Sequence, residues 1–408
     1  MINFKTLKDT CAHNSDMFSY VVEKFLFKNV VNHKKFAEET NIRFAPYRHV
    51  IKEFPDGWVN MFMTQYIIHA VLKKEGSIKK YLNHSAMQQL QQHERDYLQH
   101  LTAHPWRFSF SMITRLPHEN FFGMEDVFTG ESFLLYSPGV ADILRERAVS
   151  LWFNLIGYNG GCWQSYGPIG AYQAFTPDDI FFYATELNPR KLMETGWDIM
   201  ADVENNPVPY MMLLSGSTYP LTVHKNDQIV QSVAEYDVDA FNTIGLDKDF
   251  RIEYVNNVYR LALKRWSGHP HFSAAYYDET RRTLSLYSMT DRGFRSLVDR
   301  LNSLGYDLDP DPDIRITMAM GITTNKILKR EIQLNEYDSL FKKEKPAAGE
   351  ETLEKFNSFL AMALPDINAG RKPDIKYMAR KAGIDEETAS TLLKQVINKI
   401  DNRKKYKK

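Results

Sequence analysis

The feature that most constrains this chain is a change of hydrophobic period at Trp106. Before it, apolar residues recur at helical spacing. Met17, Val21, Phe25 and Leu26 form one set, and Trp58, Met61, Phe62, Tyr66, Ile67 and Val71 form another between Gly57 and Gly76. A third runs from Ser85 to Ala103 through Met87, Leu90, Tyr97, Leu98 and Leu101, and Pro105 closes it. After it, Arg107-Phe-Ser-Phe-Ser-Met-Ile113 alternates polar and apolar residues. The runs Phe121–Val127, Ser132–Tyr136, Val149–Ile156, Cys162–Tyr166 and Ala171–Phe175 follow, punctuated by Thr129-Gly130 and Asn159-Gly160-Gly161. A segment patterned for a helix does not present one face as a strand. The chain is therefore α+β: a helical N-terminal region, then a small antiparallel β-barrel of five or six strands. Thr176-Pro177-Asp178-Asp179 supplies an N-cap, an N1 proline and an acidic N3 residue, so a helix begins there.

A second α+β region is clearest at His271–Tyr277, the turn Asp278-Glu-Thr-Arg281 and Thr283–Met289, which read as a hairpin. An amphipathic helix follows, with Phe294, Leu297, Val298, Leu301 and Leu304 inward and Gly305 at its end, and Ile314–Met320 reads as a further strand. The economical layer is β-β-α-β. Lys342–Glu351 is charged and holds both Pro and Gly, as a linker does. The expected organisation is a helical region over 1–105, a barrel with its following helix over 106–200, an α+β region over 201–341, a linker over 342–351, and a helical hairpin with a basic tail over 352–408.

Lys and Arg total 51 and so do Asp and Glu, so a partner of strong charge would be met locally and not over the whole surface. Cys11 and Cys162 are far apart and are the only cysteines, which excludes a disulfide framework, a C-x-x-C pair and a thiolate zinc cage. The charged start Met1-Ile-Asn-Phe-Lys-Thr-Leu-Lys-Asp9 does not read as a secretory signal, and no run approaches the ~18 apolar residues of a membrane span. The expectation is a cytoplasmic protein with no membrane contact and no cofactor.

Catalytic strings are absent: there is no G-x-S-x-G, no phosphate loop, no G-x-G-x-x-G and no H-E-x-x-H. His93, His100 and His104 fall at i, i+7 and i+11, in one stripe beside an apolar face, where imidazoles could hold a metal with a further ligand. The plainer reading is the polar flank of a packed helix. His269-Pro270-His271 reads as the start of a strand. Asp307-Leu-Asp-Pro-Asp-Pro-Asp313 resembles a calcium loop but has Pro312 for the glycine and Met318 for the bidentate glutamate, so it reads as a solvated turn. The pairs Asp178-Asp179 and Asp126 with Glu131 suit helix-start and turn roles better than acid-base roles. Trp152, Phe153, Trp163, Tyr166 and Tyr172 read as core; the alternative is a stacking platform for single-stranded nucleic acid.

The C-terminal stretch reads as two short helices. Asp374 caps one bearing Ile375, Met378 and Ala379, Gly383 ends it, and Asp385 caps a second bearing Ala389, Leu392, Leu393, Val396, Ile397 and Ile400. Ala379, Gly383 and Ala389-Ser390 have the spacing of a helix-turn-helix, and Met378-Ala-Arg-Lys-Ala-Gly-Ile384 resembles the opening hairpin of HU-type proteins. The second resemblance implies a homodimer as readily as DNA contact. The second helix opens on Asp385-Glu386-Glu387, which would meet phosphate with like charge and disfavours groove reading. From Arg371 to Lys408 there are twelve Lys/Arg and five Asp/Glu, 12 − 5 = +7. Arg371, Lys372, Lys376, Arg380, Lys381, Arg403, Lys404, Lys405, Lys407 and Lys408 are the candidate contacts to a protein partner or nucleic acid.

Between Phe108 and Tyr183, Asp126-Val-Phe-Thr-Gly-Glu131 on a hairpin turn and Arg145-Glu-Arg147 before Val149 resemble a barrel region in uncharacterised bacterial proteins that carry SEC-C motifs. In that group the chain ends in a short zinc-binding motif whose core Lys404-Lys-Tyr-Lys-Lys408 resembles. Every cysteine of that motif is missing here, so zinc binding does not carry over. The resemblance implies no enzyme activity and favours an adaptor. The expected function is a non-enzymatic adaptor or regulatory protein acting through its basic hairpin. The alternative is a hydrolase-type enzyme, metal-dependent at the histidine stripe, with a site between the barrel and the second α+β region.

Overall fold

In the computed structural model, helix α1 (Phe4–Met17) starts where the Asn3 side chain accepts the Thr6 N–H. It runs through a π-helical stretch, Phe18–Leu26, into α2 (Phe27–Asn29). Helices α3 (His33–Phe44), α4 (Arg48–Ile51), α5 (Trp58–Leu72), α6 (Ile78–Tyr81) and α7 (Gln92–Ala103) complete the N-terminal layer. The structure describes residues 3–29, 33–239, 241–341, 355, 358–360, 362–363, 366–367, 371–391 and 393–394. It divides into two compact units, Met1–Tyr337 and Asp338–Lys408. The linker expected over 342–351 lies outside the described residues.

Strands β1 (Arg107–His118), β2 (Phe121–Asp126), β3 (Ser132–Tyr136), β4 (Leu151–Tyr158) and β5 (Trp163–Tyr172) close into a barrel in the order β1-β2-β3-β5-β4. Its ladders are antiparallel except for a short parallel contact, Leu135 with Trp163 and Tyr136 with Gln164, that seals β3 to β5. Helix α8 (Pro138–Glu146) spans the β3–β4 connection, capped by Ser137. The strand period sorts two cores. Phe122, Met124, Phe133, Leu135, Trp152, Ile156 and Ala171 share one buried cluster with Val140 of α8. Phe108, Phe110, Leu151, Phe153, Leu155 and Tyr172 face the other way and join the main core. That core runs from Met17 to Ile327 and crosses the expected boundaries at 105 and 200, so helices and barrel are packed as one body.

Most of the run Cys162–Tyr166 and the start of Ala171–Phe175, expected as two strands, belong to the single β5. Gly167-Pro168 between them looks like a turn, yet the strand passes through it with a register shift opposite Phe153 and Leu155. Gly167 adopts φ +72° there, and Gln65 of α5 donates its amide N–H to the carbonyls of Tyr166 and Pro168 at 2.8 and 3.0 Å. A helix side chain thus replaces the ladder bonds the bulge gives up.

Helix α9 (Pro177–Leu187) begins as expected: the Thr176 hydroxyl accepts the Asp179 N–H and Asp179 accepts the Thr176 N–H at 2.8 Å. Helices α10 (Gly196–Asn205) and α11 (Pro207–Met212) follow. The small hairpin of β6 (Val223–His224) and β7 (Asp227–Gln228) leads into the second sheet. That sheet is larger than expected: β8 (Val230–Asp237), β9 (Phe250–Val255), β10 (Val258–Leu263), β11 (Ser273–Asp278), β12 (Thr283–Ser288) and β13 (Ile314–Thr317), ordered β13-β8-β12-β11-β10-β9 and antiparallel throughout. The β9–β10 turn, Asn256-Asn257, has φ +48° and +61°, which asparagine tolerates best after glycine. Helix α12 (Asp291–Asn302) lays Phe294, Leu297, Val298 and Leu301 on Leu261, Ala275, Leu284 and Leu286. The expected strand over Ile314–Met320 stops at Thr317, whose hydroxyl accepts the Met320 N–H and starts helix α13 (Met318–Leu328).

The second unit has its own small core. Helix α14 (Ile375–Ala382) is capped by Asp374, which accepts the Tyr377 N–H at 3.0 Å, and ends at Gly383 with φ +70°. Residues 386–391 are helical, and Asp385 accepts the Thr388 N–H at 2.7 Å. Ala379, Ala382, Ala389 and Leu393 pack with Phe359 and Ala363. Within the chain, the hairpin therefore packs on earlier helical residues.

Candidate functional site

Burial of Ala379 and Ala382, with Ile375 and Met378 packed beside them, decides what helix α14 presents outward. Lys376 and Arg380 are one turn apart and exposed, with Lys372 one further turn back in the segment leading in. Tyr377 is 61% exposed, and the Lys381 ammonium lies 5.9 Å from its ring centroid. Lys372, Lys376, Arg380 and Lys381 form no ion pair with any described carboxylate. Arg371 differs: its guanidinium donates twice to Asp366 Oδ1, at 2.9 and 2.8 Å. It is spent on the fold. Lys394, not among the expected contacts, is also exposed. Arg403, Lys404, Lys405, Lys407 and Lys408 lie outside the described residues.

The second helix of the hairpin opens with the opposite charge. Asp385, Glu386 and Glu387 are all exposed. The hydrogen bonds Asp385 accepts from Thr388 hold its carboxyl below the usual range. The unit thus offers a cationic, aromatic helix face and an anionic helix start, and they are different faces of one hairpin.

In the first unit, the histidine stripe is only partly assembled. His100 Nε2 donates to the Tyr158 carbonyl at 3.0 Å, and the His104 ring packs 4.5 Å from that of His100 and 5.3 Å from Tyr158. His93 is exposed at the far end of α7. Among the described residues, no three His, Cys, Asp or Glu side chains are arranged to hold a metal ion. One helix separates its own residues by their rise, so i and i+7 stand about 10 Å apart along the axis, too far to share one ion.

The barrel aromatics are not a platform. Trp152, Phe153 and Tyr172 are buried, Tyr166 stacks on Trp106 at 4.0 Å, and Trp163 is covered by the Arg107 guanidinium at 5.1 Å. Asp126 serves its turn, accepting Ser109 Oγ at 2.7 Å and the N–H groups of Phe128 and Thr129, while Glu131 pairs with Arg107 at 2.7 Å.

A groove of about 460 Å³ lies between α9 and the segment entering β13, with Asp178, Glu186, Asp311 and Asp313 around Phe181, Phe182 and Ile314. This is the interval in which an enzyme site was the alternative. Three of its charged residues are engaged: Asp313 accepts the Glu235 N–H at 2.8 Å, Glu186 pairs with Arg330, and Arg315 donates twice to Asp291. Its lining holds no histidine, cysteine or serine. Asp179, next to it, is buried and tied to Thr176 and Thr317. These hydrogen bonds tie the start of α9 to the end of β13.

Comparison with protein-family models, with curated proteins and with solved structures gives no match for this chain. The functional reading therefore rests on its own geometry.

Proposed function

We propose that the chain is an adaptor whose second unit contacts nucleic-acid phosphate through the outward face of helix α14. The observation that carries this reading is the exposed stripe Lys372, Lys376 and Arg380 beside Tyr377 and Lys381, free of described carboxylates while Arg371 nearby is not. A helix turn spaces such cations by about 5–6 Å, close to the spacing of successive phosphates, and an exposed aromatic adds a surface on which a base can stack. Contacts of this kind position a protein on a backbone without reading sequence. The acidic start of the second helix argues in the same direction, because it repels the groove edge a recognition helix would enter. The basic run Arg403 to Lys408 would add to the attraction.

The test is fluorescence anisotropy of the full chain on labelled duplex and single-stranded DNA and RNA across a salt series. The wild type should bind with salt-sensitive affinity. The Lys376→Glu/Arg380→Glu variant should bind more weakly on every sequence and lower the salt slope by about 2, roughly one per phosphate contact. Both residues are exposed, so its circular dichroism should match the wild type. A wild type that shows no binding at low salt, or a variant with unchanged affinity, refutes the reading.

A further inference from the structure

Cys11 and Cys162, separated by 151 positions, meet with their sulfurs 3.4 Å apart, both residues buried and neither in a disulfide. Cys11 sits on α1 and Cys162 just before β5, so the contact joins the N-terminal helix to the β4–β5 turn of the barrel. Phe121 shares their buried cluster, with Phe4, Leu7, Leu134 and Tyr136 packed against it.

A polar clamp holds the two sulfurs in place. Asn159 Oδ1 accepts the N–H groups of Gly161 and Cys162 at 2.9 and 2.8 Å, which shapes the turn. Its amide nitrogen lies 3.3 Å from Cys11 Sγ and 3.7 Å from Cys162 Sγ, and donates to Gln164 Oε1 at 2.8 Å. Gln164 in turn donates to the Cys11 carbonyl at 3.1 Å and accepts from Asn14 at 2.9 Å. Both partners of the sulfur contact are thus fixed by side chains that touch both elements. The arrangement is also asymmetric. The hydrogen bond from Cys11 holds the Cys162 thiol below its ordinary range, with Asn159 adding to it. That same bond and burial push Cys11 up. With the sulfurs 3.4 Å apart, the Cys162 sulfur can attack an oxidant and the Cys11 sulfur lies within reach to resolve the product.

We propose that Cys11 and Cys162 form a modification site at which hydrogen peroxide makes an intramolecular disulfide, fastening helix α1 to the barrel. In the first step the Cys162 thiolate attacks one peroxide oxygen: an S–O bond forms, the O–O bond breaks, and the departing hydroxide becomes water by taking up the proton that Cys162 released on ionising. In the second, the Cys11 sulfur attacks the Cys162 sulfenic acid: the S–S bond forms, the S–O bond breaks, and the hydroxyl leaves as a second water with the Cys11 proton. Two thiols lose two hydrogens and two electrons, and one peroxide gains them as two waters. A small peroxide is the fitting oxidant because both sulfurs are buried, where a bulky disulfide cannot align with either.

The experiment treats the native full-length protein with hydrogen peroxide, quenches it with a thiol-blocking reagent under denaturing conditions, and maps peptides by mass spectrometry without reduction. Expected are the Cys11 and Cys162 peptides joined to each other, loss of both free thiols, and their return on treatment with dithiothreitol. In Cys11→Ser, the resolving sulfur is gone, so a dimedone-type probe should label Cys162 as sulfenic acid. In Cys162→Ser, labelling of Cys11 should be several-fold weaker. Retention of both thiols in the peroxide-treated wild type overturns the proposal. So does their separate over-oxidation without a cross-link, or linkage found only between chains. The wild-type map decides these outcomes even if a variant folds poorly.

Discussion

The barrel and the six-stranded sheet are built from similar strands and put to different use. Along β4, Leu151, Phe153 and Leu155 face the helical core while Trp152 and Ile156 share the other cluster, so the strand is buried on both sides. Along β9, Phe250 is buried, but Arg251 and Tyr254 are exposed, and Glu253 is half-buried and paired with Arg260. Closure removes a sheet's edges and makes every position count for packing; an open sheet keeps an edge and blunts it with charge. The difference teaches where this chain tolerates change: at the sheet margin, not in the barrel wall.

The largest effect that sharpens the comparison is expected inside the barrel. Trp152→Ala removes a fully buried side chain opposite Ser111 and Ala171 and should destabilise the protein by about 3–5 kcal/mol in urea unfolding. A cost below about 1 kcal/mol would mean that the barrel wall is no better packed than the sheet edge, and the contrast would fail.

An intermediate effect belongs to the seam that joins the two regions. Asp179 caps α9 after the barrel and also accepts the Thr317 N–H, at 2.7 Å, at the end of β13. Burial pushes its carboxyl up from 3.8 to about 6, against the pull of the hydrogen bonds from Thr317 and Thr176. The folded state therefore holds this proton more tightly than the unfolded chain does. Its contribution is full below pH 3.8 and is lost as pH rises through about 6, a change on the order of 3 kcal/mol. Unfolding free energies of wild type and Asp179→Asn, compared stepwise from about pH 4 to about pH 7, should change relative to each other by about that amount across the range. Parallel curves would show that the seam does not titrate.

The smallest effect is expected at the open edge. Tyr254 is half exposed, with its hydroxyl on Glu279 at 2.7 Å, and Tyr254→Ala should change stability by no more than about 0.5 kcal/mol. A loss comparable to that of Trp152→Ala would place β9 in a contact beyond this chain and redraw the comparison.

Much of this architecture is legible in the residues because its causes are short-range. The capping box at Thr176 and Asp179, the cap at Asp374 and the stop at Gly383 each involve partners within a few positions, and so did the helical faces before Trp106. The first barrel hairpin was equally readable. Strands β9 and β10 carry a signal too, the alternation on either side of Asn256-Asn257, weaker than that of the hairpin at β11 and β12. Within the candidate surface, the outward placement of Lys376 and Arg380 follows from inward alanines at helical spacing. The capture of Arg371 by Asp366 does not, because nothing in the local pattern says which cation an earlier helical segment will engage.

By itself, the amino-acid sequence determined the helical faces before Trp106, the first barrel hairpin and the caps at Thr176 and Asp374, because period, capping and turn chemistry act within one turn of helix or one strand. It also determined that positive charge gathers after Arg371 without a zinc cage to hold it. Only the tertiary structure decided that five strands close on a short parallel contact between β3 and β5, and that Asp179 reaches Thr317 across 138 positions. The same holds for Cys11 and Cys162, which read as unrelated along the chain and stand 3.4 Å apart in the fold. Such contacts depend on how whole layers pack, and chain separation carries no record of that.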